Sequence, residues 1–201
     1  MTLPFVDRAP TLELRDELAE VLGALAPGET FRYTYADAVK LAGHSCPTIA
    51  GAYLMTAAAI HALYGPGEVP MRGAIEVTLG GTRDDGGTAP MAQVIALITG
   101  AAPETGFGGL MGRWRRQNLL TFNERLTPWT QFRRIDHGRA VQVCYDPSAV
   151  PPNPEARPLL MSILRNSATS QKKSRFAALW QARVEAILTG DIARVVSVRM
   201  V

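Results

Sequence analysis

The run from Pro47 to Tyr64 constrains the fold more than any other part of the chain. It is rich in alanine, apolar on almost every side and interrupted only by His61. A surface helix confines its apolar residues to one stripe, whereas a helix apolar all round has to be enclosed. The run therefore predicts a buried central helix. Pro47 suits the first helical position, where its missing N–H has no partner to lose, and Gly65-Pro66-Gly67 ends the segment. From Ile49 onward the run is too short for a membrane span. Met1 to Pro10 shows no basic start followed by an apolar stretch. No signal peptide and no membrane association are expected, and a cytoplasmic protein is predicted.

Other elements are read around that helix. Leu12, Leu14, Leu18, Val21, Leu22 and Leu25 recur at helical spacing and stop at Pro27-Gly28, which predicts an amphipathic first helix. Residues 30–34 alternate as a strand, and 37–42 read as a short helix stopped by Gly43. Residues 73–79, 118–122, 139–145 and 193–201 read as strands; 90–98, 159–166 and 171–188 read as helices. Strands and helices mix without regular βαβ alternation, so the class is α+β. The expectation is a mixed or antiparallel sheet packed with the buried helix and with C-terminal helices. Residues 1–201 are read as a single domain, in which a proline-rich linker introduces a helical C-terminal part, 147–201.

The net charge is only +3, carried mostly by arginine, because Lys40, Lys172 and Lys173 are the only lysines. That excess does not argue for nucleic acid. Arginine does suit anions held in a fixed geometry. Arg113, Arg115 and Arg116 follow the glycine-rich stretch Gly106 to Gly109 and are candidates for binding a small anionic ligand; the bland reading is a solvated basic turn with Trp114 filling a groove.

The two cysteines are Cys46 and Cys144. Cys46 stands two residues after His44, at the mouth of the central helix, where backbone N–H groups converge and the dipole favours a thiolate. Three readings stay open. His44 and Cys46 are metal ligands, with zinc or another divalent transition metal as the default and a third ligand from elsewhere. Alternatively, Cys46 is a catalytic nucleophile with His44 as its base, or the pair is a buried thiol and a capping histidine. Cys46-Pro47 also matches a minimal haem-responsive signature, better explained by the helix start. Asp84 and Asp85 are either a third ligand or general base or an ordinary Asp-Asp-Gly-Gly turn. Tyr53, two turns beyond Cys46, is placed to line a pocket. Cys144 is read as structural, His61 as a core or interface residue too far along the helix to share an ion with Cys46, and His137 as solvated. No nucleotide-binding glycine fingerprint, nucleophile elbow, Cys-x-x-Cys pair or His-Glu-x-x-His helix is present.

Gly43-His44-Ser45-Cys46-Pro47 resembles the Gly-His-x-Cys-Pro-Gly run of the FmdE-like family of formylmethanofuran dehydrogenase subunits. Thr48 replaces the family glycine, and Tyr53 falls at the family tyrosine. Asp84-Asp85, Leu97-Ile98-Thr99-Gly100, Gly106 to Gly109, the segments 119–123 and 138–143, and the Phe176 to Leu188 helix with Trp180 extend the similarity over roughly the whole chain. The resemblance implies an α+β core, a homodimer and a metal site around His44 and Cys46, with Asp84 or Asp85 near the position of a further family cysteine that this chain lacks. Two functions follow as expectations: a metal-binding protein acting on a small anionic substrate or cofactor, or a non-catalytic accessory or metal- or haem-carrier subunit of a larger redox enzyme.

Overall fold

The computed structural model describes residues 3–201. Its centre is a five-stranded mixed sheet in the order β4-β3-β5-β6-β7, made of β3 (Ile75–Leu79), β4 (Leu120–Phe122), β5 (Trp129–Arg134), β6 (Ala140–Tyr145) and β7 (Val196–Met200). β3 and β4 run parallel; every other pair is antiparallel. The parallel pair needs a crossover, supplied by α4 (Thr88–Thr99). A separate antiparallel pair joins β1 (Leu12–Leu14) to β2 (Phe31–Tyr33).

The apolar run forms α3 (Pro47–Leu63) and packs on β6 and β7, with α4 beside it and α6 (Ser170–Thr189) across it. Ile49, Ala50, Ala52, Tyr53, Leu54, Ala59 and Leu63 have no solvent exposure, as an all-round apolar helix requires. The fold is α+β, with a mixed sheet against a buried central helix. Inward residues Val77, Phe132, Val141 and Val143 face α3, while Glu76, Gln131, Arg133 and Gln142 line the outer face as cross-strand partners.

The first helix differs from the sequence reading. Leu12 and Leu14 alternate with Glu13, pair with Tyr33 and Phe31, and form β1; only Glu17–Val21 is helical, and this is α1. Val21 and Leu22 of the expected stripe are exposed. Asp16 intervenes as the helix cap, accepting from Leu18 N at 3.0 Å and Ala19 N at 3.3 Å, and a capping residue cannot also be mid-helix. β5 lies outside the strands expected from sequence. Its inward row ends in Arg134, which breaks the apolar alternation yet is buried by pairing with Glu68 and Asp136. In the C-terminal part, α5 spans Ala156–Leu164, beginning inside the segment read as a linker.

The short helix α2 (Tyr35–Ala42) begins earlier than its periodicity indicates because of a capping box: Asp37 accepts from Thr34 N at 2.9 Å and from the Thr34 hydroxyl at 2.8 Å. Burial pushes the Asp37 carboxyl up, but the bonds from Thr34 and Lys40 outweigh it and hold the group below its ordinary value. A lowered carboxylate stabilises the fold above its unfolded value and loses that effect as pH falls through the folded one. Asp37→Ala is therefore expected to cost about 1 kcal/mol near neutral pH and to approach the wild type near pH 2, as read by urea unfolding at both pH values.

Candidate functional site

Gly43 closes α2 in the left-handed conformation at φ 73°, which only glycine adopts freely. The reversal leads through His44 and Ser45 to Cys46, the N-cap of α3. His44 is exposed, and its Nδ1 lies 2.9 Å from Ala42 O. With Nδ1–H donating to that carbonyl, Nε2 is left as the lone-pair nitrogen facing outward.

Cys46 is turned the other way and is only 8% exposed. The lid over this corner comes from far along the chain. Trp180 Nε1 donates to Ser45 O at 3.0 Å, and Gln181 Nε2 donates to the same oxygen at 3.2 Å. The Tyr35 hydroxyl sits 3.0 Å from Ser45 Oγ, and the Tyr145 hydroxyl donates to Pro47 O at 2.8 Å. Burial pushes the Tyr35 hydroxyl up to about 12 and raises that of Tyr145, and both lie near enough to feel any charge on the Cys46 sulfur. Both phenols are thus neutral donors or acceptors rather than bases. The Tyr145 ring also walls a small cleft of about 180 Å³ with Met55, Thr88 and Thr130, which neither His44 nor Cys46 lines.

The other candidates go elsewhere. Tyr53 is fully buried, and its hydroxyl donates to Pro10 O at 2.5 Å and Tyr33 O at 3.0 Å; it ties α3 to the β1–β2 pair instead of lining a pocket. Asp85 is exposed and accepts from Gly87 N at 2.9 Å and Thr88 N at 2.7 Å, so it builds the turn that opens α4. The Thr88 and Gly87 amides hold its carboxyl below the usual range. Asp84 is exposed in the same turn. Arg116 is 7% exposed and bonds Asp16 Oδ1 at 2.6 Å and Arg72 O at 2.5 Å; it belongs to a buried ion cluster, not to an anion site. Arg113 and Arg115 are exposed, with the Arg113 guanidinium 4.3 Å from the centroid of Trp114. Cys144 faces the outer side of the sheet, opposite the neighbouring Tyr145, so it cannot join Cys46. His61 is exposed rather than in the core.

Among the described residues no three His, Cys, Asp or Glu side chains are grouped to hold one ion. His44 and Cys46 therefore supply at most half of a tetrahedral zinc set, and the residues present do not by themselves fit a closed metal centre. Sequence reasoning missed Tyr35, Ser45, Tyr145 and Gln181 as neighbours of Cys46; only Trp180 was singled out, as part of the C-terminal helix.

A family model described as FmdE, molybdenum formylmethanofuran dehydrogenase operon, matches residues 41–197. The crystal structure of an FmdE-like protein of tungsten formylmethanofuran dehydrogenase from Syntrophus aciditrophicus is similar over 84% of this chain and 72% of its own, with 18% identity and a TM-score of 0.42. No curated protein matches.

Proposed function

The chain belongs to the FmdE family, and from that premise we propose that it works as a non-catalytic accessory subunit of a larger redox enzyme of the formylmethanofuran dehydrogenase type. One observation carries the reading: the family corner at His44 and Cys46 is a half site, with the thiol covered by the Trp180 and Gln181 contacts and, among the described residues, no third donor beside it. A free-standing metal catalyst needs three protein donors and an open position.

A second feature supports docking on a partner. Residues 107–113 form a projecting turn in which Leu110 and Arg113 exchange both backbone bonds at 3.0 Å. Its tip, Met111, is fully exposed at φ 47°, flanked by Phe107 and Leu110 at 43% and 42% exposure. A bulky residue held left-handed and bare to water is strained without visible local gain, and the cost makes sense where the tip is covered in an assembly. The turn lies at the end of the α3–α4 pair away from Cys46, since Arg116, just beyond it, bonds to Arg72, which in turn holds Leu97 O near the end of α4.

The metal-binding reading keeps one observation in its favour, the outward Nε2 of His44. Zinc or another divalent transition metal would be held there only with donors from a second chain, whether another copy in a homodimer or a different protein of the assembly. A small anionic substrate or cofactor would have Arg113 and Arg115 to meet it. Metal analysis of the protein purified under reducing conditions, beside His44→Ala and Cys46→Ser, tests the proposal. Well under about 0.1 equivalent in all three, unchanged after adding zinc and desalting, is the expected result. Near-stoichiometric metal lost in both variants overturns it.

A further inference from the structure

A trench runs between α4 and the edge strand β4, well removed from any use made of the molecule above. It encloses about 340 Å³, within the range of small-molecule sites. Its origin is local. The α4 face turned toward β4 carries Ala89, Ala92, Gln93 and Ala96, and alanine methyls are too short to fill the gap to Leu120 and Phe122. β4 pairs only with β3, so no further strand closes the space.

Across the mouth lies a single ion pair. Arg83, from the loop after β3, bonds both carboxylate oxygens of Glu104, one of them at 2.8 Å. Its guanidinium also sits 5.6 Å from the centroid of the Phe122 ring, within cation–π range. The two side chains are 63% and 52% exposed, so the pair contributes little to stability and opens at little cost. The halves are not equivalent. Arg83 has a second anchor on the aromatic ring, whereas Glu104 is held through its backbone oxygen by the Gln117 amide at 2.5 Å and its carboxylate is free to swing out. A ligand carboxylate can replace that of Glu104 while the guanidinium stays on Phe122, presenting the same two-pronged fork.

We propose that this trench binds a small amphipathic monocarboxylate, an aromatic or branched aliphatic acid. Its apolar body lies on Ala92, Ala96, Leu120 and Phe122, and its carboxylate takes the place of Glu104 on Arg83. The proposal is independent of the accessory-subunit reading, because none of the trench residues belongs to the His44–Cys46 corner or to the projecting turn.

The test is titration calorimetry of the whole chain with 3-phenylpropionate, its primary amide and phenethylamine. The acid is expected to saturate one site, with the amide and the amine about ten-fold weaker or worse. Arg83→Met should bring the acid down to the level of the amide. Glu104→Gln, which removes the competing carboxylate, should tighten the acid by about three-fold. Ala96→Leu should abolish binding of acid and amide alike by filling the floor, with an unchanged melting curve showing that the variant is folded; should it unfold, Arg83→Met and Glu104→Gln decide the matter alone, as both are surface changes. Absence of saturation by the acid, equal binding of acid and amide, a preference for the amine, or an unchanged affinity in Arg83→Met overturns the proposal.

Discussion

Asp16→Ala is expected to destabilise the protein by about 3–5 kcal/mol, a large share of the ~5–15 kcal/mol that holds a typical domain together. Asp16 is 2% exposed and receives Arg72 Nη1 at 3.0 Å, Arg116 Nη2 at 2.6 Å and the first amides of α1. One carboxylate thus serves two guanidiniums and a helix cap. Burial pushes the Arg116 guanidinium below its ordinary value, while Asp16 is the leading influence holding it up. Removing the carboxylate leaves a buried charge without its counter-ion, and that penalty exceeds anything the pair adds over apolar packing. Gly73 belongs to the same arrangement: it lies at φ +82°, and a Cβ there would sit 1.0 Å from Arg116 Nη1. Urea unfolding checks the prediction, with Arg15→Ala as the control. Arg15 pairs with Glu20 from a side chain 36% exposed, and its loss should cost under about 1 kcal/mol. Equal costs for Asp16→Ala and Arg15→Ala would refute the buried-cluster account.

Gly51→Ala is expected to destabilise by about 1–3 kcal/mol, although glycine to alanine inside an exposed helix stabilises by about 1 kcal/mol. The sign is reversed by Tyr145. A Cβ at Gly51 would lie 2.3 Å from Cε1 of that ring and 2.4 Å from Cδ1, so the ring must move away. Moving it breaks the hydroxyl's bond to Pro47 O, which leaves a buried donor to be satisfied again. The same change shifts one of the walls beside Cys46. Thermal unfolding of Gly51→Ala, Tyr145→Leu and the double variant measures the coupling. The smaller Leu side chain should relieve the clash, so the double variant should lose at least about 1 kcal/mol less than the sum of the singles. Strict additivity would show that the clash is relieved some other way.

The contrast between these two glycine-dependent contacts and the surface explains how much could be read in advance. The all-round apolar run declares its own burial, and Gly43, Pro47 and Gly100 mark helix limits because their backbone chemistry is local. Leu12 and Leu14 fit two periods at once; pairing with Phe31 and Tyr33 decided for the strand. Arg134 and Arg116 look like solvent-facing charges in a linear chain. They are buried because Glu68, Asp136 and Asp16 arrive to neutralise them, and for Glu68 and Asp16 no short window of sequence contains both partners.

The candidate site divides in the same way. The motif from Gly43 to Pro47 was legible, as was the family it points to, because a turn, an imidazole, a thiol and a helix start follow in order along the chain. Which side chains stand around the thiol was not, since Tyr35, Tyr145, Trp180 and Gln181 come from three other elements.

By itself, then, the sequence determined the α+β class, the buried central helix and the place of His44 and Cys46 at its mouth, all of which depend on residues close in the chain. Only the tertiary structure decided that His44 faces water while Cys46 lies beneath the α6 contacts. It likewise assigned Arg116 and Tyr53 to the interior and left the trench beside α4 open. Those outcomes turn on long-range packing and on where opposite charges meet, and both are properties of the folded chain.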